Sequence, residues 1–270
     1  MAGYSIAGEE SVIIAPELDV SFDIGRCPCE ALTINHVLLS HGHADHSVGL
    51  LYYFAQRDFQ GIEGGLAVVP ENLLGPLEAL LKAWGQVEGH VPPYELVGLN
   101  PGDEYEIRRG LLTRSFPVRH VPGSLGFSVI EVRSKLKEEY TALTGPQIVA
   151  LKDKGVEITQ RLEIPLAAYL GDTERANYSD LPFVRDARAL LIECTFFDDD
   201  HSHRAKAGRH VHLDDLPGML EGMNNERIII THVTRRTNLA VARKLLRNKL
   251  PAEMREKITF LMSRQNIQWE

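Results

Sequence analysis

The chain has 270 residues and a mass of 30.2 kDa, and 44% of its residues are hydrophobic while 24% are charged. This length and composition are typical of one large globular domain or two small ones, and they exclude a coiled coil and a collagen-like chain. The net charge of −8 at neutral pH argues against a generally basic nucleic-acid binder, although a local basic patch is compatible with it.

The sequence also indicates a cellular compartment. No apolar run approaches the ~18–20 residues that a membrane-spanning helix needs. The first residues lack the basic and apolar segments of a signal peptide. Three cysteines cannot form an even set of disulfides. The sequence therefore predicts a cytoplasmic protein that does not enter membranes.

Strand-like and helix-like patterns alternate along the chain. Residues 12–15 and 20–24, separated by a turn, predict a hairpin. Residues 134–163 form the most polar stretch and predict a surface excursion with a short helix at 145–154. The remaining predicted strands lie at 36–40, 66–69, 95–97, 104–107, 111–116, 127–132, 166–170, 189–192 and 228–231, and the remaining helices at 47–58 and 71–84.

Four of the apolar runs end in a polar side chain that can bind a metal. These side chains are His41, Asp172, Glu193 and His232. Alternating strands and helices predict sheets covered by helices. In such folds the functional side chains usually lie just beyond the strand ends. We therefore expect these residues to share one site.

The main chemical signal is the segment His41-Gly-His43-Ala-Asp45-His46, directly after a buried strand. Four ligand-type side chains within six residues are too many for one face of a helix, whereas a tight loop can turn all of them inward. Imidazole and carboxylate together suit zinc, manganese or iron. A solvated polar loop would explain a single histidine, but it explains the complete set poorly.

With this motif the sequence resembles the metallo-β-lactamase superfamily of binuclear hydrolases. The likeness extends from about residue 4 to residue 260, and further segments are similar to the short form of the tRNase Z family: 22–28, 135–140, 155–159, 171–173, 193–196 and 210–213. The resemblance implies an α/β fold, a four-layer αββα sandwich with two mixed sheets and helices on both outer faces. It also implies a single domain over residues 1–270.

The resemblance further implies two divalent metal ions, zinc first and manganese or iron as alternatives. The implied ligands are His41, His43 and His120 for the first ion, Asp45, His46 and His232 for the second, and Asp172 between them. A hydroxide shared by the metals would attack the scissile phosphodiester. The implied activity is cleavage of the 3′ trailer of precursor tRNA, and the implied partners are precursor tRNA and a second copy of the chain.

The resemblance also suggests catalytic residues outside the metal ligands. His210 lies 22 residues before His232 and would donate a proton to the leaving 3′ oxygen or steady charge on the phosphate. Glu193 would orient this histidine, and Asp45 is counted with the catalytic group. His212 is the alternative to His210, because either could point toward the site.

Two other functions remain open at this point. A hydrolase of the same fold could act on a small phosphodiester, thioester or lactone, because fold does not fix function. A non-catalytic RNA-binding protein is the third possibility, but it would be expected to lack some ligands. Asp172 comes only 52 positions after His120, which is short for the tRNA-gripping arm that many tRNase Z proteins carry in this interval.

Overall fold

The computed structural model of the protein describes residues 1–261, and the last nine residues of the predicted 1–270 domain lie outside this part. The described strands form two mixed sheets, one of six strands and one of seven. In spatial order the first sheet contains β1 (Ala2–Ile6), β2 (Glu10–Ala15), β3 (Val20–Phe22), β4 (His36–Leu38), β5 (Leu66–Pro70) and β6 (Leu96–Leu99). The predicted hairpin is present, because β2 pairs antiparallel with β3 and places Ile13 opposite Phe22. From β3 to β6 the pairing is parallel.

The second sheet follows the order β13 to β7 from one edge to the other. Its strands are β7 (Glu104–Arg108), β8 (Leu111–Pro117), β9 (Leu125–Leu136), β10 (Thr159–Tyr169), β11 (Ala189–Glu193), β12 (Arg227–Thr231) and β13 (Ile258–Phe260). Strands β10 to β13 are parallel to one another, whereas β7, β8, β9 and β10 pair antiparallel. The carboxyl ends of β10, β11 and β12 therefore meet at one edge of the sheet.

The helices of the described residues are short or of medium length. The α-helices are α1 (Ala44–Ser47), α2 (Gly49–Phe59), α3 (Leu74–Glu88), α4 (Gly145–Asp153), α5 (Pro182–Arg185), α6 (Ser202–Gly208), α7 (Leu216–Leu220), α8 (Leu239–Lys249) and α9 (Ala252–Arg255). The 3₁₀ helices cover Pro16–Leu18, Cys29–Thr33, Glu71–Leu73, Glu138–Tyr140 and Asp199–His201. The Asn238 side chain caps α8 by accepting from the Ala240 amide, as expected of an N-cap asparagine.

Three apolar clusters hold the layers together. One lies between the sheets and joins Phe22 and Leu38 of the first to Phe127 of the second. Another packs α2 and α3 on the outer face of the first sheet. The third packs α5, α7 and α8 on the outer face of the second sheet. Because successive strand residues point to opposite faces, Leu190 and Ile192 face the helices while Leu191 faces the other sheet. The result is the expected four-layer αββα sandwich.

The ends of the polar stretch 134–163 form the outer parts of strands β9 and β10. Strand β9 pairs with β8 only as far as Glu131, and beyond this point it pairs with β10 alone. The two strands thus project past their neighbours as a hairpin, which carries α4 near its tip. The predicted helix is confirmed, and the missing apolar alternation follows from the absence of a core beneath the hairpin. No helix among residues 1–261 is both long and apolar enough to span a bilayer.

Candidate metal centre

The four polar side chains predicted at strand ends do lie there. Glu193 is the last residue of β11, and His232 directly follows β12. Asp172 comes three residues after β10. His41 comes three residues after β4 of the other sheet. The edge of the sandwich where the two sheets meet therefore brings together segments that are far apart in sequence.

The motif after β4 folds differently from the single loop that the sequence predicts. His41 and His43 lie in an extended segment, whereas Asp45 and His46 lie in the four-residue helix α1. The helix begins at once because the His43 carbonyl accepts hydrogen bonds from the His46 and Ser47 amides. A helix this short leaves no periodic pattern in sequence. It turns Asp45 and His46 toward the same cluster as the two preceding histidines.

All seven predicted ligand side chains converge. Three sets have ligand atoms within 4.8 Å of one another. They are His41, His43, His120 and Asp172; Asp45, His46 and His232; and Asp172, Glu193, His210 and His232. Asp172 lies between the first two sets. Its Oδ2 is 3.8 Å from Nε2 of both His41 and His120, 3.4 Å from that of His46 and 3.3 Å from that of His232. Oδ2 of Asp45 is 3.4 Å from Nε2 of His232.

The chemistry of the cluster fits a metal. Nε2 of His41, Nε2 of His46 and Oδ1 of Asp172 are buried and have no hydrogen-bond partner in the described structure. Buried polar atoms are rarely left unpaired, since each costs about 1–3 kcal/mol. Three such atoms within one cluster of ligand-type side chains fit a bound cation.

The electrostatics of the cluster keep its central carboxyl ionised. Although burial acts in the opposite direction, His232 and His46 hold the pKa of Asp172 well below its usual range. Burial and the nearby His46 lower the pKa of His41. Burial also disfavours charge on His46, yet Asp172 and Asp23 raise the pKa of His46 well above its usual value. An ionised carboxylate among imidazoles is the form that a metal requires.

Hydrogen bonds to residues behind the cluster hold its histidines in position. Asp23, fully buried after β3, accepts from Nδ1 of His46 at 2.7 Å and from the hydroxyl of Tyr169 at 2.7 Å. It also accepts from the amide and hydroxyl of Ser40 at 2.7 and 2.8 Å. The Ser40 hydroxyl lies 3.0 Å from Nδ1 of His41. Asp23 thus connects His46, which follows the first sheet, to Tyr169 of β10 in the second sheet.

The loops around Asp172 and His232 adopt left-handed backbone. Gly171 has φ of 62°, and a Cβ there would lie 2.9 Å from Cβ of Ser40, so only glycine fits between the two loops. His232 has φ of 55°, and its amide donates to the Ser5 hydroxyl at 2.8 Å. A non-glycine residue in this region is uncommon and is often found at functional sites.

His210 and Glu193 lie against the cluster as a pair. Nδ1 of His210 is 2.9 Å from Oε1 of Glu193, and the His210 ring stacks on that of His232 at 5.1 Å. Although burial opposes it, the Glu193 carboxylate raises the pKa of His210 to about 9. Nε2 of His210 has no hydrogen-bond partner among residues 1–261. This nitrogen is therefore available to a substrate.

Glu193 also lies within ligand distance of Asp172 and His232, but its oxygens are already used. It accepts from the amides of Thr173 and Val211 at 2.8 and 3.1 Å and from the hydroxyl of Thr195 at 2.5 Å. Together with His210 these donors occupy both carboxylate oxygens. The geometry suits a residue that holds others in position better than a metal ligand.

His212, the alternative to His210, points elsewhere. Its Nε2 lies 3.0 Å from the Asp198 carbonyl, and its Nδ1 accepts from the Asp214 amide at 3.2 Å. Both ring nitrogens are therefore engaged away from the cluster. One contributor, Tyr169, had no signal in sequence. Thr195, whose hydroxyl lies 3.1 Å from Nδ1 of His232, and Asp23 were noticed only as parts of the resembling segments 193–196 and 22–28.

Comparison with known proteins identifies the fold and the family of the chain. Residues 26–233 match the family described as "Beta-lactamase superfamily domain". The solved structure of the metallo-β-lactamase fold protein YhfI from Bacillus subtilis has a TM-score of 0.64 at 12% identity, over 96% of this chain and 93% of that one. The chain thus has the metallo-β-lactamase fold, and its fold and site define a metal-dependent hydrolase.

The particular family follows from closer relatives. The chain is 35% identical to tRNase Z TRZ1 of Arabidopsis thaliana over 87% of this chain and 85% of that protein. It is 34% identical to the chloroplastic tRNase Z TRZ2 of the same plant over 93% and 73%. Human short-form tRNase Z shares the fold with a TM-score of 0.61 at 18% identity, over 98% of this chain and 95% of that one. The chain belongs to the tRNase Z family.

Proposed function

We propose that the protein is a binuclear metal-dependent endonuclease that removes the 3′ trailer of precursor tRNA. The observation that carries this proposal is the convergence of seven ligand-type side chains beside the His210–Glu193 pair. Any metal-dependent hydrolase of this fold needs the metal ligands, so the ligands alone do not indicate the substrate. A positioned proton donor next to them suits a substrate with a poor alkoxide leaving group, such as the 3′ oxygen of RNA.

The metal ligands in this proposal are those expected from sequence. His41, His43 and His120 would hold one ion, Asp45, His46 and His232 the other, and Asp172 would contact both. We propose zinc, with manganese or iron as alternatives, because imidazole and carboxylate suit all three. Bound divalent ions supply a hydroxide at neutral pH and positive charge for the scissile phosphate. Nε2 of His41 and His46 and Oδ1 of Asp172 are the buried atoms that support this assignment.

The residues around the ligands would donate a proton and hold the reacting groups in position. His210 would donate a proton to the leaving 3′ oxygen from Nε2. Glu193 would keep Nδ1 of His210 protonated and aimed at its own Oε1, 2.9 Å away. Asp45 would serve as a ligand and belong to the catalytic residues. Its Oδ2 also accepts a hydrogen bond from the Gly8 amide at 2.9 Å. This bond limits rotation of the carboxylate.

The substrate and the assembly are carried over from the family. Precursor tRNA is the proposed substrate, and the hairpin of β9 and β10 is the proposed counterpart of a tRNA-gripping arm, with exposed Lys135 and Lys154 near its outer end. A homodimer in the cytoplasm is the proposed state. An exposed apolar stripe on α3, made of Leu80, Trp84 and Val87, supports the dimer.

The test offers zinc- or manganese-loaded protein a 3′-extended precursor tRNA and, separately, bis(p-nitrophenyl) phosphate and a thioester. Cleavage just after the discriminator nucleotide is expected. Turnover of small substrates alone would overturn the tRNA assignment and favour a small-molecule hydrolase. Absence of all turnover in metal-loaded protein would favour an RNA-binding role.

A matched pair of histidine variants checks that turnover belongs to this site. His43→Ala should abolish turnover of every substrate. His90→Ala should not, because His90 is exposed and its side chain pairs with Asp58 of α2, at 2.9 Å, and with no other residue among 1–261. Full activity of His43→Ala would contradict the ligand assignment.

A further inference from the structure

A cleft of about 420 Å³ lies beside the metal cluster. His120 forms part of its wall, together with two arginines and one acidic residue, Arg119, Arg209 and Glu174. The His120 ring separates the cleft from the cluster. Its Nε2 faces Asp172, while its Nδ1 lies 3.2 Å from the Arg209 carbonyl on the opposite side of the ring.

Arg209 is held in place by this histidine. Its Nη1 donates to the His120 carbonyl at 2.6 Å, so the two residues bond reciprocally. Arg209 also has φ of 53°, the left-handed conformation that ends α6, where its amide donates to the Lys206 carbonyl at 3.3 Å. One guanidinium nitrogen is used on His120, and the other donors remain available to the cleft.

Arg119 is fixed at its backbone but free at its tip. Its amide donates to the Thr173 hydroxyl at 3.1 Å, and its carbonyl accepts from the Glu174 amide at 2.8 Å. Its guanidinium has neither a hydrogen bond nor an ion pair with any described residue. Other arginines of this acidic chain, such as Arg133 and Arg185, are paired with carboxylates.

The charge of the cleft is positive on balance. Two arginines line it against one acidic residue, Glu174. A guanidinium presents donors in a planar fork that matches a phosphate group. In a chain with a net charge of −8, arginines without a paired carboxylate next to His120, a predicted ligand, and next to His210, the predicted proton donor, would attract an anionic polymer to the site.

We infer that Arg119 and Arg209 form a phosphate subsite for the RNA backbone, on the side of His120 away from the metal cluster. The phosphate bound there is the one next to the scissile phosphate along the strand. This inference rests on the proposed function, since it assigns part of the same substrate. It implies that a polynucleotide gains binding that a single small phosphodiester cannot reach.

The test compares metal-loaded wild type with Arg119→Gln, chosen because Arg209 also supports His120. Arg119→Gln should lower the ratio of kcat/KM for 3′-extended precursor tRNA to that for bis(p-nitrophenyl) phosphate by about tenfold, the loss expected for one hydrogen bond between charged groups. The slope of log kcat/KM for the tRNA against log salt should become shallower by about one.

Two further variants separate binding from structural damage. Arg119→Lys keeps the charge. It should therefore restore the salt slope of wild type, but it should recover only part of the lost kcat/KM. Arg109→Gln removes an exposed arginine at the other end of β8 and should match wild type in both measures. Unchanged tRNA kinetics in Arg119→Gln, or equal losses on both substrates, would overturn the subsite.

Failure of the proposed function would be visible separately. If wild type does not cleave the tRNA at all, fluorescence anisotropy with labelled precursor tRNA still decides the subsite. Weaker binding and a shallower salt slope in Arg119→Gln than in Arg109→Gln would support it. Equal values for the two variants would refute it.

Discussion

Nδ1 of His46 lies 2.7 Å from Oδ2 of Asp23, and this contact determines which nitrogen of His46 faces the cluster. A carboxylate can only accept, so Nδ1 must carry the proton, and Nε2 is the nitrogen left to a metal, which would displace any proton there. The same carboxylate accepts from Tyr169 across the sandwich. One buried group therefore joins the two sheets and sets the tautomer of a predicted ligand.

Replacing Asp23 with asparagine should weaken metal binding by about 10- to 100-fold, the usual cost of losing such a hydrogen-bond partner. The amide of asparagine can turn a donor toward Nδ1 of His46, which would leave the ring in the wrong tautomer. Competition with a chromogenic chelator would measure the affinity. Tyr169→Phe is the matched control, because it removes one of the four bonds to Asp23 and keeps the carboxylate; its affinity should fall much less.

Binding of metal should stabilise the fold. The buried unpaired atoms of His41, His46 and Asp172 gain partners only when a cation is present. A ligand at 100 times its Kd stabilises a protein by about 2.7 kcal/mol. Differential scanning fluorimetry should show a higher Tm with zinc than after chelation in wild type and in His90→Ala. His43→Ala should show a smaller difference, and an unchanged Tm on chelation in wild type would contradict a metal site.

Much of the site could be predicted because its residues follow buried strands. An apolar run is easy to locate, and the polar residue that ends it must lie at a sheet edge. Asp172, Glu193 and His232 follow three strands that are parallel neighbours in the structure, β10, β11 and β12. Their convergence depends only on this topology, which the resemblance supplied.

The supporting residues could not be predicted because their partners are set by tertiary contacts. Thr195 and Tyr169 are common residue types without a pattern of their own, and their roles depend on which loops meet. Helix α1 is too short to show a period. The outer parts of β9 and β10 lack alternation since no core lies beneath them.

The choice between His210 and His212 can be tested by two alanine variants. His210→Ala should lower kcat on precursor tRNA by about 10²- to 10⁴-fold, the usual contribution of a proton donor, while bound metal stays constant. His212→Ala removes a buried side chain whose nitrogens bond the Asp198 carbonyl and the Asp214 amide, so it should lower Tm and have the smaller effect on kcat. Metal content by mass spectrometry accompanies both, and the reverse ranking of kcat would refute the assignment.

The proposed dimer predicts a response to charge on α3. Val87 is 75% exposed and continues the stripe of Leu80 and Trp84, which runs beside the buried face of α3 formed by Leu77 and Leu81. Wild type should have the mass of two chains by light scattering, and Val87→Glu should approach the mass of one. Val241→Glu on α8 adds the same charge at a residue that is 50% exposed and should leave the mass unchanged. A monomeric wild type would contradict the proposal.

Glu193 offers a test of whether it acts through His210. Glu193→Gln keeps the shape of the side chain but turns donors toward neighbours that already donate, including the Thr173 amide. We expect it to lower kcat on precursor tRNA, because His210 loses the partner that holds Nδ1. If the two residues work as a unit, the double variant with His210→Ala should be no slower than His210→Ala alone, since effects within a unit are not additive. Independent, multiplicative losses of kcat would show instead that Glu193 supports the site by another route, through Thr195 and its contact with His232.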